Sequence, residues 1–134
     1  MKVLIVDDDK LHLHFLKSVL ENDGFEVKEL DKATDIIDHI GSFKPSIVIL
    51  DLVMPNKDGA IVAQELLNNI TTRDIPIVIL SASNSLLDKF KCYSLGCVDF
   101  IEKPFKSSDF IKTIRKYSRI GDVYHAFNDY SVSP

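Results

Sequence analysis

Residues 47–59 read IVILDLVMPNKDG, and the change of character at Asp51 decides the fold. A short apolar, β-branched run suits a strand buried on both faces, as in a parallel sheet. An ionised carboxylate ending such a run is costly if it is buried alone, so other residues must compensate it. Pro55 and Gly59 follow closely, as turn residues do.

Working outward, similar strands alternate with helical patterns along the whole chain. KVLIVD (2–7) and IPIVILSA (75–82) are apolar like 46–51, while FEVKEL (25–30) alternates as an edge strand does. VDFI (98–101) makes a fifth, shorter strand. Between them, residues 10–22 place Leu11, Phe15, Leu16, Val19 and Leu20 at helical spacing, and Asp23-Gly24 stops that helix. Further helices are expected over 33–41, with Ile36, Ile37 and Ile40, and over 58–70, with Ile61, Val62, Leu66 and Leu67 inward. A fourth runs over 84–95, closed by Gly96, and a fifth starts near Ser107. Five β-α units with three buried strands imply one α/β domain, a parallel sheet covered on both faces and wound by right-handed crossovers.

Bulk properties agree with this and exclude other classes. At 134 residues the chain can bury a full core. Its 16 basic and 20 acidic side chains leave a net charge of −4, so no basic face for nucleic acid is announced. No apolar run approaches the roughly 20 residues needed to cross a bilayer. The apolar start MKVLIV is too short for a signal peptide, which makes the cytoplasm the expected compartment. Cys92 and Cys97 have neither metal-site nor CxxC spacing and are expected to be reduced thiols.

The polar residues fall at one end of the strands. Asp7 and Asp8 end the first, Asp51 the third and Ser81 the fourth, while Lys103 follows the fifth. Open α/β sheets bind ligands at these carboxyl ends, where the strand order reverses. Three converging aspartates would repel one another beyond what one lysine offsets, and a divalent cation would relieve them. Oxygen ligands with open positions suit Mg²⁺, and Mn²⁺ can substitute. Taken singly, an aspartate here reads as a helix N-cap, a role open to Asp8 or Asp9. His12, His14, His39 and His125 read as ordinary helix or surface residues.

VLIVDDD, ILDLVMPNKDG, VILSAS and FIEKPF, in this order, resemble the receiver domains of bacterial two-component response regulators. The intervals agree too, 30 residues from Asp51 to Ser81 and 22 from Ser81 to Lys103. The resemblance spans about residues 1–118 and implies a flavodoxin-like, doubly wound five-stranded sheet of order 2-1-3-4-5. It implies Asp51 as phosphoacceptor, supplied by a histidine kinase or a histidine phosphotransfer protein. Asp7, Asp8, Asp51 and the Val53 carbonyl would hold Mg²⁺; Lys103, Ser81 and the Ala82 amide would contact the phosphoryl group. Phe100 stands where the family has a switch aromatic that turns inward as Ser81 moves, and the Lys103-Pro104 bond is expected to be cis. Downstream partners would meet the fourth helix, fifth strand and fifth helix. Val53 and Ser83 occupy positions that align the hydrolytic water in fast-cycling members, and their side chains lead us to expect slow self-dephosphorylation.

Residues 119–134 exceed the receiver and form a tail or the start of a linker helix. Phe110, Ile114, Tyr117, Gly121 and Tyr124 continue a three-four spacing, although Gly121 argues against a continuous helix. The expected function is a phosphorylation switch that binds partners, promoting only its own phosphorylation and dephosphorylation; a homodimer remains open. A degenerate receiver acting only through binding is the alternative. An aspartyl phosphatase would want an aspartate at position 53, which is Val, and a flavin binder would want a Ser/Thr/Gly-rich loop in place of DDDK.

Overall fold

Three of the strands form where the sequence runs apolar and β-branched, and each gives way to polar residues at its carboxyl end. The computed structural model describes residues 1–52, 58–82 and 85–132, with side chains as far as Val123 and that of His125. In chain order the elements are β1 (Lys2–Val6), α1 (Lys10–Asn22), β2 (Glu26–Leu30), α2 (Ile36–Phe43) and β3 (Ile47–Asp51). They continue with α3 (Gly59–Leu67), β4 (Ile77–Ser81), α4 (Leu86–Leu95), β5 (Asp99–Glu102) and α5 (Ser107–Val132). The sheet order is β2-β1-β3-β4-β5, every neighbouring pair parallel. This is the architecture expected from the sequence.

The three apolar strands are the central ones. Val3–Val6, Ile47–Asp51 and Ile77–Ser81 are buried throughout, since helices cover both faces. Ile36 and Ile40 of α2, Val62 and Leu66 of α3 and Cys92 of α4 pack on one face with Val48, Leu50, Ile77 and Ile79. Leu13, Leu16 and Leu20 of α1 with Phe110 and Ile114 of α5 cover the other, against Val3, Ile5, Ile47, Ile49, Val78 and Leu80.

Local rules account for most helix ends. Asp9 caps α1 by accepting from the amides of Leu11 and His12, and Asp58 caps α3 by accepting from that of Ala60. Gly24 and Gly96, at φ of +93° and +108°, follow α1 and α4 in the left-handed region that glycine tolerates best. Helix α2 passes through Gly41 and closes at Lys44, whose amide donates to the Ile40 carbonyl.

Two expectations need correction. Leu11 and Phe15, which share the helical spacing of α1, and Ile61, expected inward, are all exposed. The buried stripes run through Leu13, Leu16 and Leu20 in α1 and through Ala60, Val62, Ala63 and Leu66 in α3, which turns those three residues outward. Gly121 does not interrupt α5, a helix about 39 Å long at 1.5 Å per residue. A Cβ at Gly121 would meet the Ser46 carbonyl and lie 2.8 Å from the Ser46 Cα, so glycine lets α5 pack on the backbone entering β3. The contact continues in the next turn. The Ser46 hydroxyl donates to Asp122, and His125 Nε2 lies 2.6 Å from the Pro45 carbonyl oxygen.

Candidate functional site: an acidic cluster at the carboxyl rim of the sheet

Sheet register builds the site. Val6 pairs with Leu50, so the next residues along β1 and β3, Asp7 and Asp51, emerge side by side. One strand further, Asp51 pairs with Leu80 and Ser81 pairs with Glu102. The Lys103 amide then donates to the Ser81 carbonyl at 2.8 Å, which carries the lysine back over the rim. The Lys103-Pro104 bond is cis, as the resemblance implied.

Asp7 and Ser81 are almost wholly buried and Asp51 is 8% exposed, whereas Asp8 is exposed. One carboxylate oxygen from each of Asp7, Asp8 and Asp51 lies within 4.8 Å of the others. Lys103 Nζ stands 3.6 Å from Asp51 Oδ2 and 3.8 Å from Asp7 Oδ2, bridging the two buried carboxylates. That supplies one positive charge for three negative ones, as the sequence suggested. Oxygens sharing one Mg²⁺ at about 2.1 Å lie roughly 3–4 Å apart, so small side-chain rotations would close this cluster on a metal. The donor set, all oxygen and all anionic, fits a hard divalent cation.

Gly59 brings the chain back against this rim. Its amide donates to the Leu52 carbonyl at 2.9 Å, and a Cβ there would meet the Asp51 carbonyl and lie 2.8 Å from the Leu52 Cα. The glycine after DLVMPNKD is therefore required by close approach to the backbone that carries Asp51. Ala82 is exposed beside the site. Val53, Pro55 and Ser83 lie outside the described residues.

Phe100 is 8% exposed and packs in the core with Ile79, Cys92 and Cys97, so its ring already faces inward in this conformation. Lys89 lies 6.0 Å over that ring and pairs with Glu102.

His12 was not expected here. Its Nδ1 is 2.6 Å from Asp7 Oδ2, and its ring lies 6.5 Å from that of Phe105. The available signal was Asp9, because a cap at that position fixes the start of α1. Side chains in a first turn lean back towards the N-terminus, which aims His12 at Asp7. Beside it, a cleft of about 420 Å³ is lined by His12, Phe15, Ala82, Lys103, Pro104 and Phe105.

The response regulator receiver domain model matches residues 3–115. Among solved structures, the receiver domain of the Francisella response regulator 1452 is 26% identical, with a TM-score of 0.80 over 88% of this chain and 96% of that one. Vibrio cholerae chemotaxis protein CheY4 superposes with a TM-score of 0.81 at 22% identity, over 87% of this chain and 97% of that one. The BeF3-activated N-terminal receiver domain of Klebsiella pneumoniae RstA gives 0.82 at 24%, over 89% and 99%. The last two likenesses speak for the fold alone. With the family match running from β1 into α5 and the acidic cluster at the carboxyl rim, the chain belongs to the response regulator receiver domain family.

Proposed function

We propose that this receiver is a phosphorylation switch of a two-component pathway, with Asp51 accepting a phosphoryl group from a phosphohistidine. The observation that carries the reading is the position of Asp51 at the end of the central strand, 3.6 Å from Lys103 Nζ and within the three-carboxylate cluster. The donor would be a histidine kinase or a phosphotransfer protein, and the switch would work in the cytoplasm.

In the transfer, an Asp51 oxygen bonds to phosphorus as the bond from phosphorus to the imidazole nitrogen breaks, and the imidazole leaves with the electron pair. A carboxylate is a weak nucleophile, so catalysis rests on alignment and charge neutralisation. Asp7, Asp8 and Asp51, with the Val53 carbonyl, would hold Mg²⁺ or Mn²⁺, which supplies positive charge against the phosphoryl oxygens. Lys103 pairs with one of those oxygens as a point charge. The Ser81 hydroxyl and the Ala82 amide donate to others. The apolar cleft beside Lys103 leaves room for the partner surface that presents the histidine.

The output face is that of α4, β5 and α5. Leu86, Leu87, Phe90 and Tyr93 of α4 are all exposed on that side, a concentration of apolar surface that suits a protein partner. A phosphoryl group of about −1.5 to −2 charge would draw Ser81 and Lys103 towards it. Phe100 would then be held inward and the α4–β5 surface fixed.

The test is intact mass after incubation with phosphoramidate or acetyl phosphate, with Mg²⁺ and with EDTA. One added phosphoryl group is expected with Mg²⁺ and little or none with EDTA. No gain in either condition would favour a receiver that acts only by binding.

A further inference from the structure

We infer that His12 is a positioning residue for the metal site, orienting the Asp7 carboxylate through a hydrogen bond to Oδ2. The inference rests on the reading of Asp7, Asp8 and Asp51 as metal ligands. Asp7 is buried, and both its oxygens have partners. Oδ1 accepts from the Asp9 amide at 2.9 Å, and Oδ2 faces His12 Nδ1 at 2.6 Å. The second contact to Oδ2, from Lys103 Nζ, is longer at 3.8 Å. Each carboxylate oxygen has two lone pairs, so these bonds leave capacity for a cation.

His12 contacts Asp7 but is not a member of the cluster, which among the described residues comprises the three aspartates alone. A donor so placed fixes the rotation of the ligating carboxylate before a metal arrives. Groups of this kind typically change metal affinity by about 10- to 100-fold when removed.

The imidazole is itself held. The His12 amide donates to the Asp9 cap, and its ring meets Phe105 at 60°. Phe105 in turn stacks on Phe110, which is buried in the core, with centroids 4.9 Å apart. A chain of contacts thus runs from the core through the loop after β5 to Asp7. For Nδ1 to bond an ionised Asp7 it must carry a hydrogen, which fixes the donor role of that nitrogen.

The experiment is titration of the full apo chain with Mn²⁺ at fixed pH and ionic strength, following free Mn²⁺ by electron paramagnetic resonance. His12→Ala and His12→Leu remove the donor, and Leu keeps bulk against Phe105. His12→Asn places an amide N–H near the position of Nδ1. The expected result is a Kd for Mn²⁺ raised about 10-fold or more in the Ala and Leu variants and largely restored in Asn, with melting temperatures in EDTA close to wild type in all three. If His12 instead competed with metal for Asp7, its removal would tighten binding. An unchanged or lower Kd in both donor-free variants therefore overturns the inference while leaving the metal site intact. Absence of Mn²⁺ binding by the wild type would overturn the metal reading and the inference together.

Discussion

Cys97 shows how strongly burial controls a residue in this fold. It lies 5% exposed beneath the end of α4, and burial pushes its thiol up to about 12, with a smaller contribution from Cys92. The Cys92 thiol is raised for the same leading reason. Both are neutral at physiological pH and should react with iodoacetamide at pH 8 at least about tenfold more slowly in the native protein than in denaturant. Equal rates would contradict the burial. The sign with pH follows from the raised value. The folded state holds the Cys97 proton more tightly than the unfolded chain, so this stability is complete below about pH 9 and is lost as pH rises towards 12. At the rim the controlling force is charge rather than burial, and there the sequence was informative. Asp7, Asp51, Ser81 and Lys103 were legible because each ends or follows a strand, and strand ends are marked by a change from apolar to polar. His12 was not, because its role depends on the cap that starts α1 and on the direction a first-turn side chain takes.

Elements were legible to different degrees for a physical reason. Buried parallel strands declare themselves through unbroken β-branched runs, and β1, β3 and β4 fell within the stretches expected. Helix faces were harder, because exposed Leu11, Phe15 and Ile61 are as apolar as the residues that pack. Helix α5 offers a test in which propensity and packing disagree in sign. Propensity favours alanine over glycine within a helix by about 1 kcal/mol. Packing against the Ser46 backbone has no room for a Cβ at position 121. Overpacking of this kind costs roughly 1–3 kcal/mol, so Gly121→Ala should lower the stability measured by urea unfolding. A stabilised variant would mean that the end of α5 does not rest on β3. Residues 119–134 read as a tail and His125 as an ordinary helix or surface residue, yet Gly121, Asp122 and His125 meet Pro45 and Ser46, some 75 residues away in sequence, and local pattern carries no record of such contacts.

At the scale of the molecule, one consequence of topology governs the rest. Parallel strands in the order β2-β1-β3-β4-β5 put their carboxyl ends on one rim, and β1 beside β3 sets Asp7 next to Asp51. Four separated stretches of sequence thereby supply one site, with three carboxylates and one lysine held by the most buried part of the sheet. At the opposite rim, α5 crosses Pro45 and Ser46 and braces the scaffold. If this arrangement exists to make Asp51 the acceptor, the covalent bond must form there and not on its acidic neighbours. Borohydride reduces an acyl phosphate to the alcohol, converting a phosphorylated aspartate to homoserine that peptide mass spectrometry can place. After incubation with phosphoramidate and Mg²⁺, homoserine should be found at position 51 in the wild type and nowhere in Asp51→Asn. Homoserine at Asp7 or Asp8, or trapping that persists in Asp51→Asn at the wild-type level, would contradict the assignment.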